Sequence, residues 1–246
     1  MIRLKPELVL LVGAAVWGLG WIPLHFFAER GLAGMPVVLA SYGLLCLLAV
    51  PAMLWQWRAW WVQRRCVLAM VLFGGLSTAG LVGALSEGDV VRIMLLFYLA
   101  PVWSTLGGWL LLGERLGSLH IGALVLAMLG IVLSLDIDSS VLHALDATDW
   151  LALIAGLTFA LNNLATRAAD RVPLLSKTMA AFVGSALFGA LFCWWQGVGV
   201  PDMPALRWGQ VALFGLFWLL VMAAAQYGFT HIDAGRAAVL VVIEMV

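Results

Sequence analysis

A chain of 246 residues that is 64% hydrophobic and only 11% charged cannot be a soluble domain, because soluble domains carry roughly 25% charged residues. Thirteen Lys and Arg balance thirteen Asp and Glu without a basic run, so no nucleic-acid surface is indicated. Cys46, Cys66 and Cys193 lack CxxC spacing and the four histidines are scattered, so no disulfide framework, metal site or cofactor is expected. What remains is an all-α polytopic membrane protein, with the lipid bilayer as its surroundings.

The N-terminal basic lead runs into apolar residues with no small-residue cleavage site, so the first span, about 8 to 28, is a retained helix. Trp17, Trp21 and His25 share one face of it. Trp17 lies too deep for the interfacial anchoring that suits Trp55, Trp57, Trp60, Trp61, Trp194 and Trp195. Spans two and three follow at about 35 to 57 and 66 to 86, the latter with glycines at 74, 75, 80 and 83 that permit close helix packing. The fourth, about 90 to 112, is the best delimited. No charge falls between Arg92 and Glu114, a stretch that reaches roughly 30 Å at about 1.5 Å per residue and matches the hydrocarbon core. Asp89 caps its start, and Gly113 with Glu114 and Arg115 stops it. Pro101 at its centre removes a backbone hydrogen bond that lipid cannot replace, so Tyr98 and Pro101 face either a wet cavity or, as a plain packing kink, neighbouring helices. Thr105 and Gly108 share that face, and a fifth span covers about 118 to 135.

Residues 136–149 are polar and acidic and form the natural boundary between halves. Further spans follow at about 150 to 168, 177 to 196, 206 to 228 and 234 onward. Thr158, Asn162 and Thr166 recur every four residues as a polar stripe flanked by Asn163, which either faces substrate or joins helices by hydrogen bonds. Gln226 and Tyr227, late in the eighth span, stand where they could close a cavity mouth. Glu244 comes eleven residues after Asp233, about 16 Å into its helix. A carboxylate at that depth costs ~2.5 to 3.5 kcal/mol, so it is either a protonatable group for a substrate amine or coupling proton, or one end of a structural hydrogen bond. The depths of Trp17, Tyr98, Asn162 and Glu244 coincide, which predicts one shared cavity.

With the N-terminus cytoplasmic, ten Lys and Arg fall on the inner side and only Arg30, Arg92 and Arg207 on the outer, a bias that selects this orientation and an external linker. Asp89 and Arg92 are echoed 144 residues later by Asp233 and Arg236, and VWGLGW at 16–21 by TFALNN at 158–163. Five spans, an odd number, separate these partners, so the halves are inverted: a first repeat over 1–137, a linker over 138–149 and a second repeat over 150–246. Inverted repeats of this kind place a substrate site between them near the membrane midplane.

AAVWGLGWIP at 14–23, FYLAPVWSTLGGWLLLGERLG at 97–117 and GALVLAMLGIVL at 122–133 resemble the EamA-type branch of the drug/metabolite transporter superfamily. The most specific stretch runs from Pro101 to the LLLGE ending at Glu114. The resemblance implies a carrier of two five-helix inverted repeats in the bacterial inner (plasma) membrane, monomer or homodimer, with both termini cytoplasmic. It also implies export of small-molecule substrates such as amino-acid-like or amphipathic solutes by alternating access; Glu244, a candidate for proton exchange by its depth, stands where that family often has a proline. Thirteen residues from Ala234 to Val246 make about 20 Å of helix, short of a ~30 Å core, so the pattern predicts a longer transporter whose ninth span continues to about 256 and whose tenth lies near 262 to 279. The competing readings are a membrane-embedded enzyme acting on lipid or prenyl substrates and a non-transporting membrane subunit. Clustered carboxylates, a nucleophile with its base and a GxxxxGK[ST] loop are all missing from the sequence, which favours a carrier over an enzyme.

Overall fold

The computed structural model describes residues 5–115, 117–134 and 145–241, and every regular element among them is an α-helix. Six segments are long and apolar enough to cross a membrane: Pro6–Ala28, Arg64–Glu87, Val90–Leu112, Ala147–Ala168, Leu174–Gln196 and Ala205–His231. Leu47, Leu126, Leu133 and Trp194 project more than 70% exposed from the bundle, a surface suited to lipid rather than water. The chain is an all-α polytopic membrane protein.

The first span is two helices, α1 (Pro6–Gly18) and α2 (Trp21–Ala28). Leu19 and Gly20 tighten the end of α1 by donating to Val16 O and Trp17 O. A Cβ on Gly20 would lie 2.8 Å from the Trp218 ring, so the break and the glycine together admit that indole. Next come α3 (Met35–Trp55), α4 (Trp57–Val62) and α5 (Arg64–Glu87). The short α4 replaces the loop expected after the second span. Its Trp60 indole donates to Ser176 Oγ at 2.6 Å, so Trp60 ties helices together, while Trp57 and Trp61 stay exposed.

The fourth span is also split, into α6 (Val90–Phe97) and α7 (Ala100–Leu112). Pro101 has no N–H for the Phe97 carbonyl, and the freed oxygen presses on Gly156, where a Cβ would come within 2.6 Å of it. The proline is therefore accommodated by a neighbouring helix through a glycine. The remaining elements are α8 (Ser118–Ser134), α9 (Ala147–Ala168), α10 (Leu174–Gln196), α11 (Ala205–His231) and α12 (Ala234–Val241).

Packing pairs are exchanged by the 144-residue offset. The α5·α9 contact is answered by α11·α1, α6·α9 by α12·α1 and α10·α5 by α3·α11, while α10·α3 maps onto itself. Arg92 and Arg236, related by that offset, each make an ion pair, although their acidic partners are not offset equivalents. Arg92 of α6 pairs with Asp149 of α9, and Arg236 of α12 pairs with Glu7 of α1 at 3.3 Å. The Asp89 side chain caps α6 by accepting from Arg92 N at 2.9 Å.

Candidate functional site: an uncharged aromatic cavity

A cavity of about 200 Å³ lies between α1, α3, α5, α9, α10 and α11. Leu24, Val37 and Leu85 line it toward the helix ends that carry the Arg92–Asp149 pair, whereas Trp17, at the break within the Pro6–Ala28 span, and Gly74 and Asn162, inside α5 and α9, lie deeper. The opposite end, which carries Arg58, Arg64, Arg65, Arg115, Arg167 and Arg171, is hereafter the basic end. The cavity thus occupies the half of the bundle remote from that end.

Its walls are aromatic. The Trp17 ring meets Phe159 at 6.0 Å and Trp218 at 5.7 Å, both edge to face, and Tyr42 meets Phe182 at 4.4 Å. No charged side chain lines it among the described residues. The Ser41 and Ser185 hydroxyl protons point back into their own helices, to Val37 O at 2.6 Å and Ala181 O at 3.0 Å, while Thr78 pairs with Ser185 at 2.8 Å. What these groups leave for a solute is oxygen lone pairs. Asn162 adds another. It is 3% exposed, its Nδ2 reaches Asn163 Oδ1 at 3.4 Å and its Oδ1 has no partner among the described residues. An unmatched buried acceptor is costly, which favours a solute that supplies a donor.

Below the cavity floor the basic end is closed by polar links. Thr166 Oγ1 donates to Gln226 Oε1 at 2.7 Å, and Lys177 Nζ to Thr166 O and Thr230 Oγ1. Arg167 donates to Thr230 O at 2.8 Å and to Glu114 and Asp233 at 3.4 Å each. Glu114 Oε2 in turn accepts from Ala234 N at 2.8 Å, which satisfies the start of α12. Two links to Glu114, from Arg167 and from Ala234 N, thus join α9 and α12 to the end of α7 on the basic side.

Residues 4–135 match the EamA-like transporter family. This chain belongs to that family. An uncharacterized transporter of Pseudomonas aeruginosa is 29% identical over 160 residues, or 61% of this chain and 50% of that protein, so the chain spans about half the length of this curated relative. A crystal structure described only as that of a protein superposes with a TM-score of 0.72 over 98% of this chain and 83% of its own, at 18% identity, a likeness of fold alone.

Of the residues singled out from the sequence of this EamA-like chain, Trp17 and Asn162 meet in the cavity. Tyr98 and Pro101 do not. They line a separate crevice with Ala238 and Val241 of α12, on the far side of the mutually tilted Phe97 and Phe159 rings, 5.5 Å apart. The kink turns their face toward α12, which is why equal depth did not bring them beside Trp17. Thr158 donates to Ile154 O at 2.7 Å within its own helix, and Asn163 is buried outside the cavity lining with its Nδ2 unmatched. Gln226 lies under the floor, and the Tyr227 ring lies tilted at 4.4 Å from that of His231. Trp21 belongs to α2, and its side chain is outside the described residues, as is Glu244.

Sequence reading passed over Phe159 and Trp218. Trp218 sits thirteen residues into a 27-residue helix, so the depth argument applied to Trp17 selects it equally. Phe159, one position after Thr158, carried no signal of its own.

Proposed function

We propose that the chain is a secondary active transporter that exports a small amphipathic solute by alternating access, with the far-end cavity as its solute site. The observation that carries this reading is the unmatched Asn162 Oδ1 inside an aromatic, uncharged chamber. Aromatic faces attract an ammonium, and the oxygen lone pairs accept from an amine or hydroxyl. The lining offers a carboxylate no cation among the described residues, so an amphipathic amine or alcohol fits better than a free amino acid. Closure at the basic end with a cavity in the other half corresponds to an outward-facing arrangement if the basic end is cytoplasmic, as the distribution of Lys and Arg argues. The repeats in this reading span 1–137 and 150–246, joined by an external linker over 138–149, in a bacterial inner membrane.

The test is binding by tryptophan fluorescence with a panel of aromatic amines, alcohols and amino acids, followed by efflux from proteoliposomes. Loss of one hydrogen bond to a solute is worth about 1 to 2 kcal/mol, so Asn162→Leu should weaken the best solute roughly 5- to 30-fold. Trp17→Ala should weaken it further. Unchanged affinity and efflux in both variants would place the solute site elsewhere.

A further inference from the structure

Lys177 is the largest fully buried side chain among the described residues, at 1% exposure in the first turn of α10. Its Nζ has two hydrogen-bond acceptors, Thr166 O at 3.0 Å and Thr230 Oγ1 at 2.9 Å. Thr230 Oγ1 gives its own proton to Gln226 O at 2.7 Å, which leaves it an acceptor toward Lys177. No carboxylate lies within ion-pair distance of Nζ among the described residues. An ammonium carries three donors and a neutral amine two, so two acceptors and no counter-ion match the neutral amine.

The partners sit on different elements. Thr166 belongs to α9, Thr230 to α11 and Lys177 to α10, and the cavity lies between these helices one turn deeper in the membrane. Opening the basic end requires α11 to leave α9 and α10, which uncovers Nζ to water. We propose that Lys177 is a proton-binding switch of the basic end, neutral while that end is closed and protonated on its Nζ lone pair when the end opens. This rests on the carrier reading above.

The other ionisable groups around it are accounted for. Asp170, Arg167 and Cys66 act on Lys177 electrostatically. Asp170 is engaged by Gln63 Nε2 at 2.8 Å, and Arg167 by Glu114, Asp233 and Thr230 O. The last turns of α11 carry Tyr227 and His231, the latter exposed with its ring nitrogen at 2.8 Å from Tyr227 O.

The experiment needs no solute. Cys46, Cys66 and Cys193 are replaced by serine, and spin labels are placed at Arg171→Cys and His231→Cys, on the α9–α10 turn and the end of α11. These replacements also remove Cys66 and His231 as rival titrating groups. Distances are then read by pulsed electron resonance in nanodiscs across pH. Acidification should lengthen the distribution, and the open-to-closed ratio should rise by no more than tenfold per pH unit, the slope of one proton. Lys177→Met and Lys177→Gln, both neutral, should stay closed at every pH, and Lys177→Arg should stay open. A distribution that ignores pH with Lys177 in place, or that titrates equally in either neutral variant, overturns the proposal. Either result would leave the solute-site reading standing, because that reading is tested separately at Asn162.

Discussion

Removing the Arg92 guanidinium should destabilise the far end more than any other single loss of charge there. Asp149 is 1% exposed and receives Arg92 Nε at 2.7 Å and a second guanidinium nitrogen at 2.5 Å. In Arg92→Met that carboxylate keeps only its bond from Asp146 N at 2.9 Å and stays buried. Breaking one side of a buried ion pair costs about 3 to 5 kcal/mol. The Arg92 side chain is 15% exposed, so some water already reaches the pair and the low end of that range applies. At about 2 to 4 °C per kcal/mol for a chain of this size, the unfolding midpoint in detergent should fall by roughly 6 to 12 °C. In Arg92→Met/Asp149→Leu the buried charge is gone, and most of the loss should return apart from about 1 kcal/mol for the vanished cap. Differential scanning fluorimetry at fixed detergent and salt measures both. A single variant that melts within about 2 °C of the parent, or a double variant no better than the single, would refute the reasoning.

A Cβ on Gly184 would overlap the Val71 carbonyl of α5, so Gly184→Ala should force α5 and α10 apart and abolish a monodisperse peak in size-exclusion chromatography, whereas Gly199→Ala, in open space, should not. The Asp146 carboxyl is held below the ordinary carboxylate range, first by the Asp149 backbone N–H and then by the Thr148 hydroxyl. Its stabilisation of the α9 start is therefore complete above about pH 4 and lost as pH falls through the lowered value. Hydrogen exchange in residues 147–150 should accelerate only under such acid. In Asp146→Asn, an equally good cap that cannot titrate, that acid limb should vanish. With native cysteines removed, an impermeant maleimide should label Gly199→Cys and spare Gln63→Cys in intact cells; the reverse pattern would invert the topology.

Local chemistry and composition were legible without coordinates. A charge content of 11% decided the solvent, Arg92 and Glu114 bracketed the fourth span, and Asp89 announced its cap, because each depends on residues within a turn or two or on a whole-chain average. The paired signatures 144 residues apart led to the reading of two inverted halves, and helix contacts such as α5·α9 and α10·α5 have counterparts at the same offset in α11·α1 and α3·α11. Tertiary structure alone decided which faces meet. Periodicity places Thr158, Asn162 and Thr166 in one stripe, yet the fold spends Thr158 on its own helix, Asn162 on the cavity and Thr166 on the closure beneath it. Kinks decided the rest, turning Tyr98 to α12 and leaving Phe97 and Phe159 as the wall between two spaces. The Lys177 site and the Arg92–Asp149 pair join residues 11 and more than 50 positions apart, across helices whose rotation no local pattern records. In a span where lipid and protein neighbours are equally apolar, hydrophobicity cannot say which face turns inward; close packing at glycines and the few polar links make that choice.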